Sequence, residues 1–160
     1  MAVSTIDNSG ISASAAISTS KLGTGAVLQV VNAQSTTPTA VNTTATYSSL
    51  SLSASITPSS ATSKILVLLS VTGLSNNVAI AGIKIQRNGS DIRTYGFVSH
   101  FNAATTIAHT SGINYLDSPA STSALTYSVL GNSTQGSTTF QYSDGNGTQV
   151  SSITLMEIAG

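Results

Sequence analysis

The chain has 160 residues, five Lys and Arg against five Asp and Glu, no Cys and no Trp. A formal net charge of zero gives no means of capturing a nucleic-acid backbone or an anionic membrane by charge. The absence of cysteine removes disulfides, thiol redox chemistry and thiolate metal sites. Ser and Thr make up about a third of the residues, well above ordinary usage. Such a surface is wet but uncharged, and without like-charge repulsion association is favoured.

The first 25 residues, MAVSTIDNSGISASAAISTSKLGTG, carry only the isolated apolar residues Ile6, Ile11, Ile17 and Leu22 along most of their length. They read as an extended N-terminal arm, since abundant Ser and Thr disfavour helix. An extended arm of this length spans up to roughly 80 Å. Ordering it costs on the order of 1 kcal/mol or more per residue, so it is expected to be fixed only where it lies on a neighbour. The start shows neither the basic nor the apolar region of a secretory signal, which suggests an unprocessed chain.

From Ala26 to Gly160 the chain reads as one β-domain. Nine runs have strand character: 26–33, 44–57 with a break near Ser49, 64–72, 79–87, 90–98, 106–116, 123–131, 137–143 and 151–159. Asn88-Gly89 is a hairpin signal of the type I′ kind, and Asp144-Gly145-Asn146-Gly147 is a second turn. Pro58 and Pro119 fall between runs, where a missing backbone donor does no harm. The longest apolar run, ILVLL at 65–69, is far short of the roughly 18 residues of a membrane helix. The spacing predicts an all-β, antiparallel sandwich.

Three runs are apolar on both faces. In KILVLLSV, Ile65, Val67, Leu69 and Val71 alternate with Leu66 and Leu68; in ITLMEI, Ile153 and Leu155 alternate with Met156 and Ile158; AVLQVV behaves alike. One face packs on the second sheet, and the other needs cover from the arm, a loop or another subunit. Leu66, Leu68, Met156 and Ile158 are therefore candidate oligomer-interface residues.

Candidates for chemistry are few. His100 and His109 could ring a symmetry axis and bind an ion, but no further ligands stand near them in sequence. Serine is too abundant to point to a nucleophile, no GxSxG elbow is present, and five acidic residues offer no evident acid–base pair. Asp117 in YLDSPAS reads as a turn cap, and the DGNG stretch lacks the acidic ligands of a calcium loop. The Asn-x-Ser/Thr patterns at Asn42, Asn88, Asn132 and Asn146 are what this composition yields by chance. Seven of the eight aromatic residues sit within the runs, most of them as core or interface with hydroxyls at a wet edge. No cofactor is expected, and no catalytic or metal residue is assigned.

The segments SGISASAAISTSKLGTGAVLQVV, SASITPSSATSKILVLLSV, NYLDSPASTSALTYSV and SSITLMEIA resemble virion structural proteins of tailed bacteriophages, especially phages of aquatic bacteria. The resemblance covers most of the chain and is most specific in ITPSSATSKILV and SITLMEIA. It implies a jelly-roll β-sandwich, commonly a homotrimer, on a virus particle, and no enzyme. Two roles fit. A capsid decoration or cement protein would lay its arm, with Ile6, Ile11, Ile17 and Leu22, on the major capsid protein or another virion protein. A tail-fibre or head-fibre tip would bind a host surface glycan. The short chain and its arm favour decoration of the head, with neither nucleic acid nor membrane as partner.

Overall fold

The computed structural model describes residues 22–101, 106–143 and 147–160, without the side chains of 43–45, 77 and 97–101. It holds seven antiparallel strands: β1 (Val27–Ser35), β2 (Thr39–Ile56), β3 (Lys64–Arg87), β4 (Ser90–Phe101), β5 (Thr106–Asp117), β6 (Leu125–Phe140) and β7 (Ser151–Ile158). The predicted nine runs become seven because two pairs fuse. Runs 64–72 and 79–87 are one strand of 24 residues, and 123–131 with most of 137–143 form β6. The turn-forming residues of each stretch pair with the neighbouring run of the other strand, Gly73 and Asn76 with Phe140 and Ser137, Asn132 and Gln135 with Gly82 and Ile80, and the register shifts between Asn76 and Ile80. Gly136 makes this possible: its φ is +59°, and a Cβ there would stand 2.7 Å from the Val78 carbonyl oxygen. The break foreseen near Ser49 is a bulge, with Ser51 at φ 52° and the register against β6 shifting between Ser49 and Leu52.

All ladders belong to one sheet, which runs β1-β7-β3-β6-β2 with β4 and β5 on the remaining edge of β3. The topology is that of a four-stranded ribbon folded on itself. β5 and then β4 follow one edge of β3, β7 and then β6 the other, and β1 and β2 continue the ribbon outside β7 and β6. Pro38, with no amide hydrogen for a ladder, lies between β1 and β2 at the fold line. Two layers result: sheet I holds β1, β7, the first half of β3 and β5; sheet II holds β2, β6, the second half of β3 and β4.

One core joins the layers. Ile65, Val67, Leu69, Ile153 and Leu155 from sheet I meet Leu52, Ile56, Ile83, Ile85, Tyr127 and Val129 from sheet II. The alternation from Leu50 to Ile56 of β2, buried and exposed in turn, is the period of a strand with one face inward. Asn88 and Gly89 have φ of 50° and 80°, as a type I′ turn between β3 and β4 requires. Residues 1–21, including Ile6, Ile11 and Ile17, lie outside the described residues, as do 144–146 of the second predicted turn.

Candidate interaction surface

The three runs that are apolar on both faces lie side by side in sheet I, in the order β1, β7, β3. Their registers place Val30 opposite Met156, Met156 opposite Leu66, and Leu66 opposite Leu116 of β5. Four apolar side chains thus form a row across the outer face, about 14 Å wide at ordinary strand spacing. Val30 is 55% exposed, Leu116 50% and Leu68 38%. Met156, Leu66 and Ile158 are half-buried by one another and their strand neighbours. The sequence-derived candidates Leu66, Leu68, Met156 and Ile158 are brought together. Val30 and Leu116 were missed, Leu116 because its run alternates too weakly to mark an outward leucine.

The next row is polar except for Leu68: Asn32, Thr154, Leu68 and Asn114 face one another, and the Asn32 side-chain amide donates to Thr154 Oγ1 at 2.8 Å. Lys64, at the end of β3, is the only charge among the outward residues of these strands. An uncharged apolar row with an amide and hydroxyl rim has the composition of an interface centre and its border. At one corner Leu22, the first described residue, lines a recess of about 270 Å³ with Leu28, Ser59, Ser63 and Gly160.

The outer face of sheet II is built otherwise. One row reads Ser53, Ser128, Gln86 and Asp91, the next Ser49, Leu130, Lys84 and Thr94. Lys84 Nζ lies 2.8 Å from Asp91 and 4.4 Å from the centre of the Tyr47 ring, and the Gln86 amide also donates to Asp91. These groups partner one another and present water with a satisfied polar surface.

Two acids are buried at the end of the sandwich where β3 begins. Gln29, Glu157, Ile65 and Asp117 form one inward row of sheet I. The Glu157 carboxylate accepts from Ser59 N–H and Oγ–H, each at 2.7 Å, and from the Gln29 amide at 2.6 Å. Burial pushes its pKa up, but these donors outweigh burial and hold it below the usual carboxylate range. Asp117 accepts from Ser118 N–H, as a turn cap does, and also from Arg87 at 2.6 Å and the Tyr127 phenol at 2.7 Å. The phenol of Tyr127 is thus on a buried carboxylate, not at the wet edge expected from sequence, and burial pushes its pKa up. The two carboxylates stand two strand spacings apart, roughly 10 Å, each occupied by structural donors. They clamp loops and sheets at this end of the sandwich.

The Nε2 of His109 lies 3.1 Å from Ser75 Oγ. Among the described residues no group of three His, Cys, Asp or Glu could hold a metal ion. The side chain of His100 lies outside the described residues. No helix of the described residues is long and apolar enough to cross a membrane.

No family model matches the chain, and no curated protein matches it. Among solved structures, a chain from the structure of infectious bursal disease virus, Gx strain, is similar at 12% identity and a TM-score of 0.41. The similarity covers 82% of this chain and 37% of that one.

Proposed function

We propose that this protein is a non-enzymatic structural component of a bacteriophage particle, a homotrimeric decoration or cement protein of the head. The observation that carries the reading is the contrast between its two outer faces. Sheet II ends in a largely self-partnered polar surface, with Val78 and Leu130 as isolated apolar residues, whereas sheet I exposes Val30, Leu68 and Leu116 around Leu66 and Met156. A neutral apolar face of this kind gains by burial at about 25 cal/mol per Å² and suits contact between copies of the chain. The arm, with Ile6, Ile11, Ile17 and Leu22, then serves attachment to the major capsid protein or another virion protein. Both carboxylates being tied up as clamps favours a structural role over hydrolysis. The segments that resemble tailed-phage virion proteins point the same way.

The alternative is a fibre tip that binds a host glycan. Copy number on the virion separates the two: hundreds of copies support the head, a few tens or fewer the tail. Particles made without the protein give the second test. Loss of resistance to heat and osmotic shock is the expected result. Particles that keep that resistance but fail to adsorb to cells overturn decoration in favour of the fibre tip. Deleting residues 2–22 is expected to leave a folded trimer that no longer attaches.

A further inference from the structure

The N-terminal half of β5 is held on β3 by its ladder, by a bond from Thr106 Oγ1 to Asn76 Oδ1 at 2.8 Å, and by the ring of His109. His109 faces Gly73 across the ladder, and its ring fills the space a side chain at 73 would need. A Cβ on Gly73 would stand 2.6 Å from His109 Cε1 and 2.8 Å from Nε2. Nε2 reaches Ser75 Oγ at 3.1 Å, and Ser75 Oγ is 3.0 Å from Thr138 Oγ1 on β6. A polar chain therefore crosses β5, β3 and β6 where β3 leaves sheet I for sheet II. Ser75 and Thr138 are fully buried. Nδ1 of His109 is buried as well and has no hydrogen-bond partner.

This arrangement suits only the neutral ring. With its single proton on Nε2, imidazole donates to Ser75 and leaves Nδ1 bare. Imidazolium carries a second N–H, on Nδ1, buried without an acceptor and without a counter-charge. The groups facing the ring are Gly73 and Ser75 of β3, Thr138 of β6, and Ile107 and Ser111 of its own strand, none of which is ionised. The other titratable positions of the flanking segments, His100 on β4 and Asp144 after β6, have side chains outside the described residues. Burial holds the pKa of His109 below the ordinary histidine value.

We propose that His109 is an acid-sensitive latch, which holds residues 106–111 against β3 while neutral and releases them when protonated. The open state binds the proton more tightly than the closed one. Closure is therefore fully favoured above the free-histidine pKa of about 6.5 and loses ground as pH falls below it, until the closed-state pKa is passed. One proton taken up on opening raises the opening equilibrium by at most about tenfold per pH unit in that window. An edge strand can open in this way without global unfolding.

Hydrogen exchange of the full chain between pH 7.5 and 4.5, expressed as protection factors, tests the latch. Protection of amides 106–111 is expected to fall severalfold or more below pH 6.5 in the wild type and to stay level in His109→Gln, with Leu155 and its neighbours in β7 unchanged in both. Flat protection in the wild type, or an equal fall in the variant, overturns the proposal. If His109→Gln does not fold, the ring titration of His109 in a His100→Asn background decides by NMR. An apparent pKa below 6.5 supports the latch, and one at or above 6.5 refutes it.

Discussion

The outer faces of the two sheets share a backbone plan and differ in what their side chains do. On sheet II, Lys84, Asp91, Gln86 and Tyr47 satisfy one another, and the intervening positions are largely hydroxyls. On sheet I, the row Val30, Met156, Leu66 and Leu116 has apolar neighbours on the same face and nothing above it among the described residues. Exposure of single apolar residues is ordinary for a soluble protein. A contiguous row across four strands, on a chain with only ten acidic and basic residues, is not, and it identifies the face that gains most from contact.

The sharpest way to break this contrast is to place one charge on each face. Met156→Lys is expected to abolish the proposed trimer, because assembly would bury an unpaired ammonium at a cost of several kcal/mol. Ser128→Lys, on the outer face of sheet II, is expected to keep the mass of the proposed trimer, three times 16.1 kDa, by light scattering. Equal loss in both variants would remove the distinction between the faces.

A second effect separates the neutral outer face of sheet I from its charged inner end. Glu157 has a folded pKa below its unfolded value, so its stabilisation is present above the unfolded value of about 4.5 and is lost as pH falls through the folded one. Denaturant midpoints are expected to drop below about pH 4.5, and Glu157→Gln should flatten that drop while lowering stability at pH 7. Association through sheet I, by contrast, should barely respond to salt. Raising NaCl to 1 M, where the Debye length is about 3 Å, is expected to leave the proposed trimer intact in sedimentation velocity. A trimer that dissociates with salt would place its contacts on charged groups instead.

The smallest expected effect lies at the hairpin that ends sheet II. Gly89→Ala forces a Cβ onto a residue at φ +80° and should cost about 1 kcal/mol in chemical denaturation, without altering assembly.

Much of this was legible in the sequence. The period-2 runs gave the strands, Asn88-Gly89 the hairpin, and the doubled apolarity of KILVLLSV and ITLMEI marked Leu66 and Met156 as residues needing cover on a second face. What escaped was set by pairing across long sequence separations. Leu116 joins the row only because its strand lies beside β3, and Val30 only because β7 inserts between β1 and β3. Glu157 looks like a solvent-facing residue in SSITLMEIA, yet its parity with Ile153 and Leu155 turns it inward, where Ser59 and Gln29 receive it. Fusion of two runs into β3 was hidden by Gly73, Asn76 and Asn77, which read as turn residues and instead sit within a strand.

The length of β3 also governs the order in which the molecule can form. Every ladder except the outermost two, β1 on β7 and β2 on β6, is made on this single strand. β1 leads the chain among the strands, yet it has no ladder until β7, the last of them, has been synthesised and has docked on β3. Pairing of that kind closes large loops before it is rewarded, which slows folding to milliseconds or longer and leaves β1 waiting. During that interval the apolar, uncharged segment AVLQVV is open to the wrong neighbour. Production of this protein is therefore most exposed to aggregation between synthesis of β1 and docking of β7, and low temperature or chaperone binding over that window should raise the yield of folded chain.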